Sequence, residues 1–485
     1  MKRVVLFTVL TAVLVGGPCF AKSPSGARQE LVPAPLRSDS AAPIPAHPSP
    51  YNFPGVAYPR IEEDSRVTFQ FKAPNAQKVQ VSIANVNYDM VKGDNGVWTY
   101  TSAPQAPGYH NYWMVVDGAV VLDPATNAFI GYSHMCNGFE IPEAGVSFYD
   151  LKDVPHGNVL IKNYFSKTAN AWRHIFVYTP PEYEKGNARY PVLYLQHGGG
   201  EDERVWTEMG RSNLILDNLL AEGKVKPMIV VMETSAVGGV MQAGMGGPNG
   251  PGTGIRAPGA GGPGAGGPGA GPGGPGAGGP GAGAPGAGGP GAGGPGGAGA
   301  RPAGAPRGGG FGMAAGGGAY GKLMINDLIP WIDANFRTIA DRDHRAMAGL
   351  SMGGMMTAAV TFPNLDKFSY IRLLSGGTAA GFGAGGPGSP IPMNAPPPQP
   401  AKLDLKTIYS GAMADPAKFN KEVHVFFFSC GTEPPLENPT ALKNHQEQLK
   451  AAGITNSYVY ISPGTSHEWQ TWRRSLYVFA PLLFR

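Results

Sequence analysis

Three residue types placed in one order carry the chemistry of this chain: Ser351, a carboxylate near residue 435, and His467. Ser351 sits in Gly349-Leu-Ser-Met-Gly353, a G-x-S-x-G pattern that occurs once in the sequence and lies outside its glycine-rich tract. A serine hydroxyl is a weak nucleophile at neutral pH and needs a base within hydrogen-bond reach. His467, in Pro463-Gly-Thr-Ser-His-Glu-Trp469, is the candidate base, and an imidazole in that role needs a carboxylate to hold its tautomer and support its positive charge. Ser429-Cys-Gly-Thr-Glu-Pro-Pro-Leu-Glu437 supplies two candidates, with Glu433 preferred and Glu437 as the alternative. Together these groups would attack an acyl carbonyl, and the reaction then also requires donors for the oxyanion.

The elements that must position these residues can be read around them. Arg345–Leu350 is short and apolar, a buried strand, and the small residues from Met352 onward suit a helix. A strand, tight turn and helix around G-x-S-x-G form a nucleophile elbow, in which the serine is held out above the sheet. The N–H of Met352, at the helix start, then points where an oxyanion could form. A second donor is expected from His197-Gly-Gly-Gly200, which follows an apolar strand. Gly199 is the favoured amide, Gly198 and Gly200 are near alternatives, and His197 is read as shaping the loop.

Between and around these points strand and helix alternate. Asn158–Ile161, Arg173–Pro181 (ending in a turn), Tyr190–Gln196, Pro227–Met232, Tyr370–Leu374, Val423–Phe428 and Ser457–Ile461 read as strands, several apolar throughout as in a sheet covered on both faces. Helices are expected over 212–221, 323–336, 441–452 and after Trp469. This is an α/β architecture, and the order serine, acid, histidine is that of an α/β-hydrolase. Ahead of it the period changes to two in Arg66–Phe71, Lys78–Ile83, Val97–Tyr100 and His110–Val116, separated by turn-forming stretches. These predict a small all-β immunoglobulin-like sandwich over 56–142, in front of a hydrolase domain over 155–485. Trp98, Tyr112 and Trp113 in its strands could stack on sugar, although a core or site-shaping role is preferred.

The remaining stretches bound the class of protein. Residues 1–21 combine a basic start, an apolar run and a small-residue end, the parts of a secretory signal, so the product is expected to be exported to the periplasm or beyond. No later run is apolar enough for a membrane span. Residues 22–55 read as a linker rich in Pro, Ser and Ala, and 236–318 and 376–400 as disordered Gly/Pro/Ala-rich insertions. A net charge of +4 over 485 residues argues against a nucleic-acid partner. No Cys/His cluster has metal-ligand spacing and no cofactor is expected. Cys136 and Cys430 are read as independent buried thiols rather than a disulfide.

The chain also resembles a known family. His197-Gly-Gly-Gly-Glu-Asp-Glu-Arg-Val-Trp206, Lys226–Met232, Asn326-Asp-Leu-Ile-Pro-Trp-Ile-Asp333, Ala348–Gly354, His467-Glu-Trp469 and Trp472-Arg-Arg-Ser-Leu476 are similar to the esterase D type of carbohydrate esterase. That family includes feruloyl and acetyl-xylan esterases, some with an early-set sandwich in front. The resemblance implies serine-dependent hydrolysis of acyl esters on xylan-type plant polysaccharide, with Ser351 as nucleophile and His467 as base. The chain departs from the pattern at the acid: many relatives carry aspartate one or two residues after Glu433, where Pro434 and Pro435 stand. Trp206 and Trp469 are candidates to hold an aromatic acyl group, while Trp472 is read as packing. Three other readings are an acyltransferase of the mycolyltransferase type, a siderophore esterase and a non-catalytic carbohydrate-binding protein.

Overall fold

The computed structural model describes residues 31, 33–36, 42, 44–237, 313–376, 403–434 and 436–485. The expected signal segment and almost all of both Gly/Pro/Ala-rich insertions lie outside the described residues.

The front of the chain is all-β. His47–Pro48, Arg60–Ile61, Val67–Lys72, Val97–Thr101 and Val91–Lys92 form one antiparallel sheet in that order. Ala128–Gly131, His134–Ile141, Gly108–Val116, Val79–Ile83 and Val86–Asp89 form a second, with Ala119–Val121 added beside Gly108–Val116. The alternation in Val67-Thr-Phe-Gln puts Val67 and Phe69 in the core with Val79, Val81, Trp98, Tyr112, Met114 and Phe139. The indole N–H of Trp98 donates to the Ala73 carbonyl (2.9 Å) and the Tyr112 hydroxyl to Asp123 (2.8 Å). Trp98, Tyr112 and Trp113 are all buried, so none is a stacking surface for sugar.

This region begins earlier than residue 56. His47–Pro48 pairs with Arg60–Ile61, and Ala34 is buried against the core of the second half of the molecule. Part of the stretch read as linker is therefore packed structure, because its few apolar residues find partners that its composition does not reveal.

The second half is an eight-stranded sheet in the order Asn158–Ser166, Ala171–Thr179, Ile229–Glu233, Val192–Gln196, Arg345–Leu350, Tyr370–Leu374, Val425–Gly431, Ser457–Ser462. The first two strands are antiparallel and the last six run parallel. Helices Ser212–Ala221 and Trp469–Phe479 cover one face, and the helical run 313–335, Met352–Thr361 and Pro439–Ala451 cover the other. The central strands are buried along their whole length, as their continuous apolar sequence requires. Cys136 and Cys430 are separate buried thiols. Among the described residues no helix is long and apolar enough to cross a membrane.

The two halves are joined through helix Trp469–Phe479, which is buried on every side. Its inner face packs on the sheet, and its polar face meets the β-region. Arg473 makes a two-pronged ion pair with Glu140 (2.6 and 3.0 Å) and Arg474 pairs with Glu143. Arg211 adds a third cation 3.5 Å from Glu140. Burial disfavours the charged form of Glu140, but Arg473 and Arg211 outweigh it and hold the carboxyl below its usual range.

Candidate active site

Ser351 lies between strand Arg345–Leu350 and helix Met352–Thr361 with φ 52° and ψ −117°, a conformation that an L-residue rarely adopts. Its amide donates to the Leu374 carbonyl on the neighbouring strand (2.7 Å). The flanking glycines are required by close approach. A side-chain carbon at 349 would lie 2.2 Å from the Gly353 carbonyl oxygen, and one at 353 would lie 2.3 Å from that of His197. The second contact matters most, because it sets the start of the elbow helix directly against the start of the His197-Gly-Gly-Gly200 loop.

His467 occupies the loop after strand Ser457–Ser462, pinned by Thr471, whose hydroxyl donates to the Ser466 carbonyl. The ring faces Trp472 edge-on, with centroids 5.2 Å apart. Trp472 in turn donates its indole N–H to the Ser375 hydroxyl (3.2 Å). Ser375 precedes Gly376, whose α-carbon presses against the Ser351 carbonyl: a side-chain carbon there would be 2.5 Å from that oxygen. Ser351 and His467 thus belong to one neighbourhood at the carboxyl ends of the parallel strands, where ligands of such sheets bind.

The partner of His467 is Glu437, and this corrects the expectation for Glu433. Nδ1 of His467 is 2.9 Å from Oε1 of Glu437, whose side chain is 1% exposed, and Oε2 of Glu437 accepts the Gly431 N–H (3.2 Å). Glu433 is exposed and, among the described residues, its side chain accepts a local bond from the Thr432 hydroxyl (2.9 Å). The cause is the helix that follows. Asn438 caps Pro439–Ala451 by accepting the Ala441 N–H (2.9 Å), which draws residue 437 back over the strand end while residue 433 rides on the outside of the turn. Asn438-Pro439, a cap followed by proline in the first turn, is the sequence signal that could have identified Glu437. With the carboxylate as acceptor, Nδ1 carries the proton and Nε2 is the basic nitrogen.

The loop opposite is fixed by polar contacts. His197 is buried, Nδ1 donating to the Gly198 carbonyl (2.7 Å) and Nε2 accepting the Ser235 N–H (3.1 Å). Burial lowers its pKa to about 4, so it is a neutral brace with both nitrogens occupied. The N–H of Gly198 donates to Glu201 (2.8 Å), which removes it from the three amides considered. Gly199 follows it, and the Met352 N–H opens the elbow helix, where the first amides have no intrahelical acceptor.

Trp206 and Trp469 are not open to an acyl group. Trp206 is buried with its N–H bound to the Gln196 carbonyl (2.9 Å), and it packs edge-on against Trp469, also buried, which packs against Trp472. The three indoles wedge the last helix against the sheet. Their spacing resembled a binding wall because long-range packing, absent from local sequence, decides which side of an aromatic faces water. A crevice of about 750 Å³ lined by His47, Glu140, Glu143, Tyr149, Asp150 and Arg211 lies at the junction of the two halves, apart from these residues.

Comparison with known proteins identifies the family. The esterase family model matches residues 166–243 and 314–481. An endo-1,4-beta-xylanase/feruloyl esterase of Xylanibacter ruminicola is 32% identical over 449 residues, 90% of this chain and 47% of the relative. Endo-1,4-beta-xylanase Y of Acetivibrio thermocellus is 21% identical over 353 residues, 69% of this chain and 24% of its own. The chain thus spans about half or less of the length of these relatives. Among solved structures, the enterochelin esterase of Shigella flexneri superposes with a TM-score of 0.50 at 12% identity, covering 86% of this chain and 91% of that one. The chain belongs to the esterase family and has the α/β-hydrolase fold.

Proposed function

We propose that this protein is an exported serine esterase that releases feruloyl or acetyl groups from xylan-type plant polysaccharide through an acyl-enzyme at Ser351. The observation that carries the reading is the pairing of half-buried His467 with buried Glu437 in the same neighbourhood as a serine on a strained elbow. The likeness over 90% of the chain to a protein named as a xylanase/feruloyl esterase supports the choice of substrate.

In this reading Nε2 of His467 takes the Ser351 proton as Oγ attacks the ester carbonyl, and Glu437 supports the imidazolium that results. The oxyanion is received by the N–H groups of Met352 and Gly199. One such donor is worth about 3–4 kcal/mol in the transition state. The imidazolium then protonates the sugar oxygen as its bond to the acyl carbon breaks, so that the sugar leaves as its hydroxyl, and water attacks the acyl-serine by the same route in reverse.

The test is incubation with feruloylated and acetylated xylo-oligosaccharides, identifying the acid released, with Ser351→Ala alongside. Release of ferulate or acetate by the native chain and none by the variant is expected. Transfer of the acyl group to a second sugar in place of water would make the enzyme an acyltransferase. Equal release by Ser351→Ala would remove the serine from the mechanism.

A further inference from the structure

Gly198, Gly199 and Gly200 form a loop with no side chains to hold it, yet a donor for an oxyanion must be fixed in advance to be effective. Besides the bond from His197 Nδ1 to the Gly198 carbonyl, two further ties hold it. At one end the Gly198 N–H donates to Oε2 of Glu201 at 2.8 Å. Gly198 is closed in further by Leu350, the residue before Ser351: a side-chain carbon at 198 would lie 2.5 Å from Leu350 Cδ1 and 3.0 Å from Glu201 Oε2. At the other end the N–H of Ser133, at the tip of the β-region hairpin Ala128–Ile141, donates to the Gly200 carbonyl at 3.0 Å.

We propose that Glu201 is a positioning residue for the oxyanion hole: its carboxyl clamps Gly198 so that the next amide, Gly199, is aimed at the ester oxygen. The proposal rests on the reading of Ser351 as nucleophile. Although Glu201 as a residue is only half-buried, its carboxyl lies within the protein, and burial pushes it up to about 8. The groups around it do not supply a compensating charge. Asp202 beside it is paired with Arg204 (2.8 Å); Tyr132 and Cys136 of the hairpin are each pushed up to about 12 by burial; His197 is neutral. Protonated Glu201 still accepts the Gly198 N–H through its carbonyl oxygen, whereas ionised Glu201 places a negative charge next to a site where a second one must develop.

Glu201→Ala and Glu201→Gln are compared with the native chain on methyl ferulate from pH 6 to 9.5, with melting temperatures recorded for each. Glu201→Ala is expected to lose kcat by about 10-fold or more with KM little changed, since misplacing a group by about 1 Å costs up to about 100-fold. Glu201→Gln keeps the acceptor and is expected to restore kcat at pH 7 to within about 3-fold of the native value, as one neutral acceptor replaces another. The native kcat is expected to fall as pH rises through about 8, and the glutamine variant is expected to lack that fall. Native kcat in Glu201→Ala, a glutamine variant as impaired as the alanine one, or an alkaline fall that survives in Glu201→Gln would each overturn the clamp. Ser351→Ala is run in parallel: turnover there defeats the nucleophile reading, while an inactive Ser351→Ala beside an unaffected Glu201→Ala defeats the clamp alone.

Discussion

His467 meets Glu437, not Glu433, with 2.9 Å between Nδ1 and Oε1 and with the second oxygen of Glu437 tied to the Gly431 amide. Glu437→Gln preserves shape but lets the amide donate to Nδ1, which selects the wrong imidazole tautomer. A loss in kcat of roughly a thousand- to ten-thousand-fold is expected. Glu433→Gln, on the exposed side of the same turn, should leave kcat within about 2-fold, as exposed substitutions do. Steady-state kinetics on the two variants decide between the carboxylates.

A methyl group at residue 353 has no room, because the His197 carbonyl oxygen lies 2.3 Å from where it would sit. Gly353→Ala must therefore push the elbow helix away from the loop that carries Gly199. We expect kcat to fall by about 100-fold or more, since catalytic groups tolerate displacements well under 1 Å. Gly321→Ala, where the nearest atom would be 3.8 Å away, is the control and should retain native kinetics.

The ion pair between Glu140 and Arg473 gives a stability prediction. Removing its acid leaves a fully buried guanidinium with the Met209 carbonyl as its remaining hydrogen-bond acceptor among the described residues. Glu140→Ala should destabilise the protein by about 3–5 kcal/mol, the range for breaking a buried pair by deleting one member. Denaturant titration followed by tryptophan fluorescence measures it. A change below about 1 kcal/mol would place the interface in the class of exposed pairs instead.

Acid stability follows from two buried histidines. Burial lowers His197 and His445 to about 4 each, with the His445 ring against Phe428 and its Nε2 bonded to Tyr409 (3.0 Å). A depressed pKa stabilises the fold above the unfolded value near 6.5, and that contribution is lost as pH falls from there towards 4. At 1.36 kcal/mol per unit each histidine is worth roughly 3 kcal/mol over this window. His445→Gln keeps an acceptor for Tyr409 without titrating. Its urea midpoint should drop less between pH 7 and pH 4.5 than that of the native chain; equal drops would remove His445 from the account.

The parallel strands and the elbow were legible because their signals are local: continuous apolar runs, and glycines at 349 and 353 on either side of a serine. Period-two alternation located the β-region for the same reason, its buried residues recurring every second position from Val67. What sequence reasoning missed was decided at a distance. The choice of Glu437 depended on the cap at Asn438, the burial of Trp206 on Trp469, more than two hundred and fifty residues away, and the packing of Ala34 on a core formed much later in the chain. Nothing in Trp472-Arg-Arg-Ser-Leu announced that its two arginines would be neutralised by Glu140 and Glu143.

Helix Trp469–Phe479 follows directly on the loop bearing His467, and its cations are matched by carboxylates on the β-region. A gene fusion that gave the second half a different leading module would strand two guanidinium groups close to His467. The halves should accordingly be inherited as one cassette, and across related chains positions 140 and 473, like 143 and 474, should change in step.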